Sequence, residues 1–222
     1  MLWPEVTEGF GIKQLKRTPY ITGFRAGYKL FAIINLHLHP GDDDDDVAYR
    51  EKEVTLLLDA LQKKRDKNHL WTEKLILAGD FNFYTGADKD DPTVQTVVDA
   101  GYREVLSLVG VDTNASETQT YDRLFIGAGD FFEVATDDHG GEIGGVFNPF
   151  DHVFAFGDEA VYLDEMKAVY GGIGDLDLPA VRDKYFKNYW RKNQLSDHYP
   201  IWFDLVTDNA DGLLERISAE LG

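Results

Sequence analysis

Cysteine is absent from the chain, which excludes disulfides and any Cys-ligated zinc site. No apolar run is long enough to span a bilayer. Met1 to Gln14 shows no apolar core behind a basic start, so no signal peptide is visible and the default compartment is cytoplasmic. No internal repeat of fixed period is present. Positive charge is scarce: 22 Lys and Arg stand against 40 Asp and Glu, a net charge of -18. Such a surface repels nucleic-acid phosphates, so non-specific DNA affinity is expected to be weak without divalent cations or high salt. A halophilic source would give the same balance.

What is present suffices for a buried core. The 222 residues are 43% hydrophobic and 13% aromatic, which suits one domain spanning 1–222. The clearest local signal is Leu75-Ile76-Leu77-Ala78-Gly79-Asp80-Phe81-Asn82. It reads as a core strand that ends in a turn and delivers polar groups. Asp80 and Asn82 alternate with Phe81 and so can point the same way. A carboxylate beside an amide suits a phosphate and a hard cation, although Asp and Asn also commonly satisfy backbone groups in turns.

Along the chain, 1–16 reads as an irregular or short-strand leading segment. Tyr20 to Arg25 and Tyr28 to Leu38 read as a hairpin, with Pro19 at the start and Ala26-Gly27 as the turn. The second strand ends in His37, Leu38 and His39 ahead of Pro40-Gly41, and the two histidines at i, i+2 could form a metal pair. The Asp42–Asp46 run reads as a solvated loop and helix start, without the spacing of a calcium loop. Val47 to Lys64 reads as an amphipathic helix with Val54, Leu57, Leu58 and Leu61 inward and Arg50 outward. Strand, helix, strand predicts a right-handed crossover with parallel strands, bringing His37 and Asp80/Asn82 to one sheet edge.

Further on, Asp91-Pro92 opens a helix over 93–100. Strands are expected over 120–127, 131–135 and 199–205, with a glycine-rich exposed excursion at 136–147. Helices are expected near 159–170, over 179–192 and over 208–221. The last carries Leu213, Leu214, Ile217 and Leu221 on one face. Tyr185, Phe186, Tyr189 and Trp190 fit core packing at helical spacing, or a surface on which bases stack.

Four polar clusters fall at expected strand ends: His37, Asp80 with Asn82, Asp122, and Asp197 with His198. Phosphodiester hydrolysis needs an activated water, a proton for the leaving oxygen and positive charge on the phosphorane, and these residue types supply those parts. The motifs Asn35-Leu36-His37, Gly79-Asp80-Phe81-Asn82, Tyr121-Asp122-Arg123 and Ser196-Asp197-His198-Tyr199-Pro200 resemble, in order and spacing, the endonuclease/exonuclease/phosphatase superfamily. The resemblance covers about 17–206.

That resemblance implies an α/β (α+β type) chain: half or most of a deoxyribonuclease-I-like four-layer αββα sandwich, its mixed sheet flanked by helices. It implies a metal-dependent phosphoesterase, with Mg²⁺ (or Mn²⁺ or Ca²⁺) as cofactor and a phosphodiester or phosphomonoester, nucleic acid included, as substrate. In the roles it implies, His198 is the general base, His37 serves the leaving side, and Asp80 and Asn82 hold phosphate and metal. Asp122 orients water or phosphate, Asp197 is a metal ligand or orienting carboxylate, and Arg17 touches substrate phosphate. Asp151-His152 mimics this pattern; Asp122 is preferred because Tyr-Asp-Arg follows a Thr-rich loop.

Members of the superfamily carry an N-terminal half with an Asn motif and a Gln-Glu motif, whose Glu is the principal Mg²⁺ ligand. No such element precedes Arg17. The expectation is therefore a chain weak or inactive alone. Its apolar sheet face would be covered by a homodimer partner or a separate N-terminal half, or would limit solubility. Two other readings stay open: a phosphomonoesterase or lipid phosphodiesterase of the same fold, and a non-catalytic fragment or binding module.

Overall fold

The computed structural model describes residues 15–84, 91–129 and 132–221; the expected leading segment lies mostly outside them. A five-stranded mixed sheet forms the centre, in the order β1-β2-β3-β5-β4. β1 (Tyr20–Ala26) and β2 (Lys29–His37) are the expected antiparallel hairpin. Gly27 takes a left-handed φ of 60° at its turn, a conformation open to glycine without strain. β3 (Leu75–Asp80) runs parallel to β2, as the crossover requires. β5 (Asp122–Gly127) returns antiparallel to β3, and β4 (Tyr102–Glu104) closes the far edge.

The crossover helix α1 spans Asp44–Asp66, three residues earlier than the apolar period indicates. The acidic run explains the early start. Asp43 accepts from the Asp46 N–H at 2.8 Å, and Asp44, Asp45 and Asp46 sit in the first turn against the positive end of the dipole. Lys63, Lys64 and Arg65 occupy the last turn. The inward face holds Val54, Leu56, Leu57, Ala60 and Leu61, with Leu58 only partly buried.

The side-chain alternation of β2 splits the interior in two. Ala32, Ile34, Leu36 and Leu38 face α1 together with Leu75, Leu77 and Phe125. Phe31 and Ile33 face the other way with Ile76, Leu124 and Ile126. That second face is covered by a two-stranded ribbon, β6 (Gly144–Val146) with β7 (Ile201–Phe203), which brings Val146, Ile201 and Phe203 onto it. The layers are therefore helix, five-stranded sheet, ribbon.

Several sequence expectations change here. Helix α2 covers Thr93–Asp99. The glycine-rich stretch 136–147 is not wholly an excursion, because its end supplies β6. The strand expected over 199–205 shortens to β7, since the Tyr199 N–H is taken by the Thr113 carbonyl at 2.7 Å. The one expected over 131–135 reduces to a bridge between Val134 and Leu205, with Phe131 outside the described residues. The bare apolar sheet face is not general: Ile76, Leu124 and Ile126 are buried, whereas Phe24 at the β1 edge stays exposed.

Helix α3 is Leu163–Val169, shorter than expected. The aromatic helix runs over 179–194 as α4 (Pro179–Tyr185), a π turn (Phe186–Trp190) and α5 (Arg191–Gln194). The terminal helix α6, Ala210–Leu221, is anchored at its start by Lys29, which donates to Val206 O and to Asn209 Oδ1. Leu214 and Ile217 on α6 remain exposed. No described helix is long and apolar enough to cross a membrane.

Candidate active site

The sheet order places three polar residues in one row. His37 is the register partner of Asp80 across the parallel β2–β3 pair, and Asp80 is the partner of Asp122 across the antiparallel β3–β5 pair. Two parallel strands end at one sheet edge, and an antiparallel neighbour must begin there, so residues 43 and 42 positions apart in sequence become neighbours. His198 arrives from a loop. It pairs with Asn114 in an isolated bridge, while Ala115 N donates to Asp197 O and Tyr199 N to Thr113 O, both at 2.7 Å.

The side chains converge on Asp80. His37 Nε2 stands 3.4 Å from Asp80 Oδ2, and His198 Nε2 stands 3.9 Å from the same oxygen. The opposite nitrogen, His198 Nδ1, meets Asp122 Oδ2 at 2.7 Å. Half of the His37 side chain is exposed, against 16% for Asp80, so the row opens to solvent on the imidazole side. Burial raises the Asp80 carboxyl above the ordinary carboxylate range, opposed by His198 and by the Asn82 N–H that donates to Oδ1 at 2.9 Å. His198 is pushed up to about 9, first by its bond to Asp122 and then by the charges of Asp122, Asp80 and Asp197, against its own partial burial.

Arg17 and Asn82 also come together, though not around an open space. Arg17 Nη1 and Asn82 Nδ2 both donate to Leu38 O at 3.0 Å. Asn82 is 5% exposed and takes a left-handed φ of 50°. Its amide ties the end of β3 to the chain leaving β2, rather than offering itself to a ligand as the resemblance implies. Asp197 is exposed and acts on His198 through charge; the carboxylate that grips the imidazole belongs to Asp122. Asp151 lies in a separate short turn, bonded to Asn148. The metal pair of His37 and His39 is not built, because His39 turns away to Asp46 at 2.7 Å and packs on Tyr49.

Mg²⁺ is usually held by one or two carboxylates completed by water and substrate phosphate, so Asp80 and Asp197 are the residues that would hold it here. Among the described residues no group of three His, Asp or Glu is placed to hold a metal ion.

Gly79 keeps the row together. Its φ is +132°, and a Cβ there would stand 2.2 Å from the Leu36 carbonyl oxygen. Neither backbone can retreat without breaking the β2–β3 pairing that aligns His37 with Asp80. Gly79→Ala is expected to destabilise the fold by about 3 kcal/mol. A denaturant midpoint within error of the parent would refute this placement.

Sequence reasoning missed three groups that build the site. Thr113 is fully buried; its Oγ1 accepts from Asp122 N at 2.9 Å while its carbonyl holds Tyr199 N, so one residue places both members of the His198–Asp122 pair. Tyr121 lies beside His198 with ring centroids 5.9 Å apart and edge-on to Tyr84 at 5.0 Å. Burial and the Tyr84 hydroxyl push its phenol well above the ordinary value. Arg50 is wholly buried, which reverses the outward reading. It pairs with Asp91 at 2.7 Å, donates to His39 O and Gly41 O, and stacks over Tyr84. Only Tyr121, next to Asp122, left a sequence signal.

No protein-family model and no curated protein matches the chain. Solved structures similar to it include an endonuclease/exonuclease/phosphatase from Beutenbergia cavernae, 13% identical, with a TM-score of 0.47 over 84% of this chain and 39% of that one. A mannosyl-6-phosphatase of Bacteroides thetaiotaomicron is 16% identical, with a TM-score of 0.39 over 80% of this chain and 51% of that one. A further endonuclease/exonuclease/phosphatase family protein of the same organism gives 15% and 0.40 over 81% and 51%. The chain thus spans roughly two fifths to half of the length of these structures.

Proposed function

We propose that the chain is a phosphoesterase of the endonuclease/exonuclease/phosphatase type, acting on phosphodiesters through a histidine-activated water. The observation that supports this reading is the convergence of two imidazoles on one partly buried carboxylate, with the second nitrogen of His198 clasped by Asp122. Asp122 fixes the tautomer and orientation of His198, leaving Nε2 to take the proton of an attacking water. The water oxygen bonds to phosphorus as the ester bond to the leaving oxygen breaks. His37, on the far side of Asp80 and half exposed, delivers a proton to the departing oxygen. Asp80 holds the two imidazoles in their relative places, and Arg17 has further guanidinium donors for a phosphate oxygen. Each of these steps is assigned here to the chain's own side chains.

Turnover of bis(4-nitrophenyl) phosphate by the purified chain, beside 4-nitrophenyl phosphate, tests the reading. The expected result is diester hydrolysis that His198→Ala removes, weak for an enzyme of this type. Parallel reactions in EDTA and in Mg²⁺ test the cofactor expectation. Release of nitrophenol at the same rate from parent and His198→Ala would sink the proposal, and preference for the monoester would move it to a phosphomonoesterase.

A further inference from the structure

The aromatic cluster of 179–194 divides in two. Phe186 and Trp190 are buried against Met166 and Leu176. Tyr185 packs on the edge of that cluster, and Tyr189 lies outside it. With Tyr170 they line a cavity of about 540 Å³ whose wall also includes Lys184 and Val181. Tyr170 and Tyr185 meet edge to face at 4.7 Å, and Tyr185 and Tyr189 stack at 6.3 Å. Tyr189 is 59% exposed, so its ring serves no closed core. Gly172 lets the loop backbone pass beside Tyr170, where a Cβ would stand 2.5 Å from the ring. The volume lies within the range of small-ligand pockets.

The helix on one side of it carries a charge balance opposite to that of the rest of the molecule. In a chain of net charge -18, the stretch 179–194 holds five cations, Arg182, Lys184, Lys187, Arg191 and Lys192, against one acid, Asp183. Its C-terminal end docks onto the catalytic loop. Arg191 stacks on Phe150, which packs on Tyr199, and Lys192 donates to Ser116 beside the Ala115–Asp197 bond. One helix therefore lines the cavity with a half-buried and an exposed tyrosine and joins the segment that carries His198.

We infer that the Tyr170–Tyr185–Tyr189 cavity with Lys184 binds a flat aromatic ring that carries a phosphate, as a nucleotide does. The ring stacks on tyrosine faces and the ammonium of Lys184 meets the anion, a combination that tolerates any base because every base presents a π face. Lys184 supplies the cation in the cavity wall of an otherwise acidic molecule. Assigning that ligand as part of the substrate rests on the phosphoesterase reading; the binding itself does not.

Isothermal titration of the full chain carrying His198→Ala, which cannot turn the ligand over, uses AMP as the probe. Adenosine and ribose 5-phosphate each carry half of the chemistry, and a short single-stranded oligonucleotide distinguishes a free nucleotide from one in a strand. AMP is expected to bind more tightly than either half. Tyr189→Ala and Lys184→Glu, both at exposed positions, should each weaken it roughly tenfold. Tighter oligonucleotide binding with the same sensitivity assigns the cavity to a strand, and equal or weaker binding assigns it to the free nucleotide. Ribose 5-phosphate binding as tightly as AMP, affinities unmoved by both variants, or no binding at millimolar AMP would each overturn the inference. The phosphoesterase reading fails separately, on unchanged hydrolysis by His198→Ala.

Discussion

Arg50→Met is expected to lower the unfolding free energy by about 3–5 kcal/mol, because it leaves the Asp91 carboxylate buried and unpaired. The Asp91 side chain is 1% exposed and that of Arg50 is 0% exposed. Arg50 donates to Asp91 Oδ2 from Nε at 3.2 Å and from Nη2 at 2.7 Å, while Asp91 Oδ1 accepts from Thr93 N at 2.9 Å. The same guanidinium holds two carbonyls of the chain leaving β2, at His39 and Gly41. Removing it loosens the turn behind His37 as well as stranding a charge. Replacing both partners, Arg50→Met with Asp91→Leu, should recover much of the loss, since a buried ion pair is worth little over an apolar pair of similar volume. Guanidinium unfolding of the parent, the single and the double variant decides the matter. A single-variant loss below about 1 kcal/mol would mean that water reaches this pair.

The other large effect is catalytic. Asp122→Asn and His198→Ala are each expected to lower kcat/KM for a diester by roughly 10²–10⁴-fold, the usual contribution of a positioned general base. The pH dependence follows from the same contact. In the folded chain the His198 imidazole is held up to about 9 from an ordinary 6.5. Its proton stays on at neutral pH, and the base form prevails only above about 9. The rate should therefore climb with pH and level off beyond that value. The Asp122 bond is the largest cause of the shift, so Asp122→Asn should bring the His198 titration back down toward 6.5 and carry the rising limb with it. Imidazole NMR titration measures this without any turnover. A His198 that titrates near 6.5 in the parent would break the link between the dyad and the base. A rate that falls through pH 9 would make His198 the acid instead.

Both effects mark the boundary between local pattern and tertiary context. The alternation in β2, the apolar run of β3 and the helical period between them are local, and short-range sterics and amphipathicity suffice to read them as a parallel crossover. From that alone His37 and Asp80 were placed at one edge. The acidic run was legible as a helix start because capping is decided within four residues. The expected mixed α/β architecture, half or most of a layered sandwich, appears as one five-stranded mixed sheet flanked by helices and met by a two-stranded ribbon.

Arg50 was misread because periodicity grades a residue by its hydropathy, and a cation counts as outward until a distant carboxylate supplies its partner. Asp91 is 41 positions away. Thr113 gave no signal for the same reason: its worth lies in two bonds, to Asp122 and Tyr199, that exist only after the loops meet. The sequence by itself determined the inventory of the site, the strands that end in His37 and Asp80 and the loop that offers Asp197-His198, since residue type and local period require nothing beyond neighbours in the chain. The tertiary structure alone decided which carboxylate grips His198, that Asn82 is tied to a backbone carbonyl and not open to a ligand, and which tyrosines line a cavity. Those outcomes depend on strand order, register and burial, which are set by contacts between segments far apart in sequence.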